Sequence, residues 1–101
     1  MIAYKLVRMM RDGSLSPLFI NKKSRLPMNY WMQAESHKTN GFAFRKGWHC
    51  TLRPIAPHLS EKNRVWVKVE IANYATYKRP ESQGGTWVLA QQMKILEIIA
   101  S

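Results

Sequence analysis

Cysteine, acidic side chains and long apolar runs are what this sequence has least of, and each scarcity narrows what the chain can be. Its one cysteine, Cys50, has no partner for an internal disulfide. The core is therefore expected to hold by packing alone, in a reducing compartment. No stretch approaches the roughly eighteen apolar residues that a membrane-spanning helix needs. Met1 to Met10 carries Lys5 and Arg8 inside its apolar stretch and lacks a small-residue cleavage site, which argues against a secretory signal. A cytoplasmic protein is expected. No basic amphipathic helix is visible, so a membrane partner is not expected. The sequence also lacks a Gly-rich phosphate loop with its lysine, a dinucleotide fingerprint, the aromatic pattern of RNA-recognition domains and a zinc-finger spacing.

What is present is apolar mass and positive charge. Of 101 residues, 46% are hydrophobic and eleven are aromatic, enough to build one core and to exclude a disordered chain. That length suits a single domain, residues 1–101, and no linker or repeat interrupts it. Sixteen Lys and Arg against six acids give a formal charge of +10. The excess is uneven: +8 falls within residues 1–53 and +2 within residues 54–101. A field this one-sided favours a polyanionic partner, either nucleic acid or an acidic protein surface.

Patterning along the chain predicts an α+β fold. Ile2, Tyr4, Leu6 and Arg8 alternate with Ala3, Lys5, Val7 and Met9, and Arg11-Asp12-Gly13-Ser14 supplies a turn, so Met1 to Ile20 reads as a β-hairpin. Asn21 to Pro27 is a polar loop. Met28 to Glu35 reads as a short helix or turn, with Tyr30, Trp31 and Ala34 on one face. Gly41 to Phe44 and Trp48 to Leu52 read as short strands. Arg64 to Ile71 alternates strictly, with Val65, Val67, Val69 and Ile71 opposed to Trp66, Lys68 and Glu70, the pattern of a half-buried strand. Trp66 lies under a helix or stands exposed as a stacking platform. Ala72 to Gly85 reads as a long functional loop, Thr86 to Gln92 as a short helix, and Lys94 to Ile99 as a closing strand. The expectation is a mostly antiparallel sheet of about five strands carrying one or two short helices.

Two segments hold the residues capable of chemistry. In the first, His49 and His58 could face one cleft and act as general base and acid on RNA, with Arg45, Lys46 and Arg53 holding a phosphate. Cys50 follows His49 on the same strand and so points to the opposite face. That disfavours a thiol–imidazole pair and a zinc site drawing on His37, His49, Cys50 and His58, and no metal or cofactor is expected. The second segment interleaves Tyr74 and Tyr77 with Lys78 and Arg79, then adds Glu81 and Gly84-Gly85. Tyrosines beside bases suit stacking plus phosphate contact along a single strand, and the same residues equally suit an ordered loop with no ligand. Lys22, Lys23 and Arg25 extend the basic surface.

Gly47-Trp48-His49, Ala56-Pro57-His58, Arg64-Val65-Trp66 and Arg79-Pro80-Glu81-Ser82-Gln83-Gly84-Gly85 resemble small proteins encoded by phages and prophages of gut bacteria. The resemblance covers nearly the whole chain and implies a mobile-element origin in a bacterial host, without an activity. A second resemblance is to compact ADP-ribosyltransferase-like folds, and it implies that His49, Tyr77 and Glu81 would surround nicotinamide. Three functions stay open. The chain binds nucleic acid non-catalytically through Lys22, Lys23, Arg25, Arg45, Lys46, Arg53, Tyr77, Lys78 and Arg79. Alternatively, it is a small enzyme using His49, His58 and Glu81, or it binds an acidic host protein.

Overall fold

The structure is a computed structural model that describes residues 1–17, 25–34, 47–56 and 62–99. Among the described residues there are six strands: β1 (Ile2–Met9), β2 (Leu15–Ser16), β3 (Met32–Gln33), β4 (Trp48–Thr51), β5 (Arg64–Lys78) and β6 (Thr86–Ile99). They join in one antiparallel sheet. The α+β expectation is overturned: among the described residues there is no α-helix, only a 3₁₀ turn at Glu81–Gln83.

Three local readings change with it. Met28 to Ala34 is no helix. Met28 bridges Ile95, and Met32 and Gln33 pair with Met93 and Gln92 as an edge strand. Of the supposed apolar face, only Ala34 is buried, while Tyr30 is 65% exposed. Thr86 to Gln92 is the first half of β6. Its Trp87, Ala90 and Met93 recur at helical spacing because the strand is buried on both sides and then changes face, which erases the alternation a half-buried strand shows. Ala72 to Lys78 is strand rather than loop, paired with β6 down to Thr86. This part of the hairpin reaches beyond the core, so residues 73–76 are exposed and their polarity resembles that of a loop. The strand expected at Gly41 to Phe44 lies outside the described residues.

The pairings close into a ring. β1 joins β5, β5 joins β6, β6 joins β4, and β4 returns to β1 at Tyr4 and Thr51. Two side chains stitch that last seam: Lys5 Nζ donates to His49 O at 2.9 Å, and Thr51 Oγ1 to Tyr4 O at 3.3 Å. Among the described residues the closure is partial: β1 meets β4 only at Tyr4, and the far half of β5 is laddered on the β6 side alone.

Inside the ring lies the main core. Ala3 and Val7 from β1, Cys50 from β4, Val67, Val69 and Ile71 from β5, and Val88, Ala90, Met93 and Ile95 from β6 are at most 2% exposed. Each fully buried valine, isoleucine or methionine side chain contributes about 1.5–3 kcal/mol relative to exposure. A second cluster, Leu6, Ala56, Trp66 and Trp87, covers the outer face with Tyr4, Tyr77 and Ile99 against it. Trp66, 4% exposed, is therefore not an exposed platform, and among the described residues no helix covers it: Ala56 packs with it.

The long strands change face at one level. Val67, Val69 and Ile71 point into the main core, yet Tyr77, of the same parity, belongs to the second cluster. Across the ladder, Val88 and Ala90 point inward and then Met93 and Ile95 do. The break falls at Asn73, whose φ of 52° puts it in the left-handed region, and Asn73 Nδ2 donates to Gln92 Oε1 at 2.7 Å. Asparagine tolerates that conformation better than most residues.

Candidate nucleic-acid interface

The site is built on the end of the β5–β6 hairpin. Tyr77 stands directly opposite Trp87, and Lys78 opposite Thr86. The chain then reverses through Arg79 to Gly85, held by Arg79 N–H to Gly85 O at 2.7 Å and Gln83 N–H to Pro80 O at 2.8 Å. Gly85 has a φ of +76°, a left-handed conformation that glycine adopts freely, and it is this backbone geometry that favours glycine there.

Arg79 lies over both aromatic rings. Its guanidinium carbon is 4.8 Å from the Trp87 ring centroid and 5.6 Å from that of Tyr77, while Nη1 contacts Gln83 Oε1 at 3.5 Å. Trp87 is itself anchored, with Nε1 donating to Gln83 O at 2.7 Å. Such cation–π contacts contribute about 0.5–1 kcal/mol each at exposed sites. Their larger effect is to fix a five-donor fork that would otherwise sample many rotamers.

On the other side of Tyr77, the hydroxyl meets His49 Nδ1 at 2.7 Å, and the two rings stand edge to face. His49 points outward while its neighbour Cys50 points into the main core. Burial pushes the Cys50 thiol up to about 11, so the sulfur is a protonated core group rather than a nucleophile.

Beside the hairpin turn is a cleft of about 320 Å³, lined by Thr51, Leu52, Arg53, Ile55, Glu81, Gly84, Gly85 and Thr86. Along one wall the chain turns tightly, with Ile55 N–H returning to Arg53 O at 2.7 Å. Thr51 is buried, and its hydroxyl lies between Tyr4 O and Arg53 O.

The structure thus brings Arg53, Tyr77, Lys78, Arg79, Glu81 and His49 to one end of the ring. It does not gather all of the expected residues. Arg25 lies at the other end, by the β1–β2 turn, where Leu26 N–H bonds Leu15 O. There the Ser14 hydroxyl and amide, and then the Arg25 charge, hold the Asp12 carboxyl below its ordinary range. Glu81 lines the cleft, and His49 does not. Lys22, Lys23, Arg45, Lys46 and His58 lie outside the described residues, and with them the His49–His58 arrangement that acid–base catalysis would require. Among the described residues, no three His, Cys, Asp or Glu side chains gather as a metal site. Sequence reasoning missed Trp87, assigned to a helix, and the apolar walls Leu52 and Ile55. The only local hint was an indole two residues after Gly84-Gly85. The chain matches no known protein-family model, curated protein or solved structure.

Proposed function

We propose that this chain is a non-catalytic nucleic-acid-binding protein of the kind a phage or prophage carries, and that it grips a single strand at the β5–β6 hairpin end. The observation that carries the reading is Arg79 spread over Trp87 and Tyr77, with Lys78 beside it and Arg53 across the turn. A guanidinium fixed by rings keeps its donors aimed at a phosphate and offers its outer face to a base. The +10 charge supplies long-range attraction.

Binding through phosphates releases counterions, so log affinity must fall linearly with log salt concentration. Titration of labelled single- and double-stranded DNA and RNA from low salt upward is expected to show that slope, with the single strands bound more tightly. Absence of binding to all of them at low salt ends the proposal. The charge would then serve an acidic protein partner, detectable by nuclease-treated affinity capture.

A further inference from the structure

The cleft beside the hairpin turn holds two opposite charges that do not meet. Arg53 and Glu81 both line it, yet among the described residues no ion pair or side-chain hydrogen bond joins them or occupies either charged end. Both side chains are exposed, and an exposed pair gains little by meeting, so the two charges stay available to a ligand. The Glu81 carboxylate lies against Gly85 at the turn, its oxygens 3.4 and 3.5 Å from where a Cβ on residue 85 would stand, which is ordinary contact distance. Leu52 and Ile55 line the same cleft and expose apolar surface, 41% and 53% respectively.

A ligand for this cleft must satisfy three demands. It must offer N–H donors to Glu81, which can only accept while ionised. It must bring an anion for Arg53, and it must have an apolar face to lie against Leu52 and Ile55. The overall positive field excludes a simple cation such as a free guanidinium group. Guanine meets all three demands within a nucleic-acid strand. Its Watson–Crick edge carries two neighbouring donors, N1–H and the N2 amino group, spaced for both oxygens of one carboxylate. Adenine and cytosine each put one amino group beside a ring-nitrogen acceptor that a carboxylate repels, and uracil offers a single N–H between two carbonyls. A volume of about 320 Å³ is at the small end of ligand clefts, which run from roughly 300 to 1,000 Å³, and suits a single base better than a larger cofactor.

We infer that the cleft receives one unstacked guanine of the bound strand, its N1–H and N2–H donating to Glu81 and its phosphate contacting Arg53. This rests on the nucleic-acid reading above and adds a base preference to it. Unstacked bases read along their Watson–Crick edge are the usual basis of sequence choice in single strands.

The test is fluorescence anisotropy with a short labelled oligouridine and with the same strand carrying one central guanosine, adenosine or cytidine. The guanosine strand is expected to bind about tenfold more tightly than the others, the discrimination a two-hydrogen-bond base contact provides. Glu81→Gln should bring the four strands to parity without weakening oligouridine, since the variant loses only a negative charge on an exposed turn. Arg53→Gln should weaken all four and keep their order. Equal, salt-dependent binding of all four by the native chain overturns the guanine site and leaves the nucleic-acid reading standing. A preference for another base, or a guanosine preference that survives Glu81→Gln, also overturns it. Binding of none of the strands at low salt removes both.

Discussion

His49 Nδ1 lies 2.7 Å from the Tyr77 hydroxyl, tying β4 to the projecting end of β5. A hydroxyl both donates and accepts, so the bond survives either protonation state of the imidazole. Tyr77→Phe and His49→Phe should each cost about 1 kcal/mol, the net worth of a typical hydrogen bond. Urea unfolding of the two single variants and the double variant should yield a coupling energy of similar size. A coupling near zero would mean that the contact does not brace the hairpin.

Arg79 should act as a phosphate contact whose geometry matters. Arg79→Ala is expected to reduce the slope of log affinity against log salt by about one. Arg79→Lys keeps the charge and the slope but loses the planar fork, and should bind more weakly. Equal affinities for the lysine variant and the native chain would show that charge alone suffices.

Lys5 shares its face of β1 with the fully buried Ala3 and Val7, so it points toward the interior. Desolvation holds its ammonium below the ordinary value of 10.5, with the nearby Cys50 acting the other way. Between the lowered value and 10.5 the native chain has released a proton that the unfolded chain still holds, so Lys5 makes stability rise with pH in that window. Lys5→Met gives up the bond to His49 O along with the buried charge, and its stability should stay flat across the pH window in which that of the native chain rises. Denaturant titrations at several pH values check both statements.

Cys50 has the opposite sign. Its raised value means that between 9.0 and about 11 the native thiol keeps a proton that the unfolded chain has lost. Its share of stability is intact below pH 9.0 and is lost across that interval, about 2–3 kcal/mol in all. Cys50→Ala should remove this alkaline decline. A thiol reagent near neutrality should label the unfolded chain rapidly and the native chain slowly.

Those parts of the fold governed by one buried face were legible in the residues. Arg64 to Ile71 alternates because Val67, Val69 and Ile71 meet the main core, and the Asp12-Gly13 turn is a local matter, closed by Ser14 N–H to Asp12 Oδ1 at 2.9 Å. Thr86 to Gln92 was not legible, because Trp87 and Val88 are buried in different clusters and the period vanishes. Within the site, Tyr77, Lys78, Arg79 and Glu81 stand close together in sequence and could be picked out as a group. Arg53, Leu52 and Ile55 reach the same place only because β4 pairs with β6, a contact between distant segments that no local pattern records.

Asn73 marks the level at which both long strands turn over. Asn73→Ala should cost about 1 kcal/mol, since alanine pays the left-handed penalty and forfeits the bond to Gln92. Asn73→Gly should cost less, because glycine accepts that φ freely. Thermal melts of the two variants in this order would support the assignment, and the reverse order would refute it.

The seam between β1 and β4 gives the ring a weak side. β5 and β6 are zipped along most of their lengths, whereas β4 meets β1 at Tyr4 and Thr51 alone, helped by the Lys5 and Thr51 side chains. In native-state hydrogen exchange, the amides at this join should therefore trade with solvent through a sub-global opening, well before those of the central hairpin. Such an opening uncurls the cylinder into a flat sheet and wets Lys5 and Cys50 together, while the hairpin end that carries Arg79 stays folded.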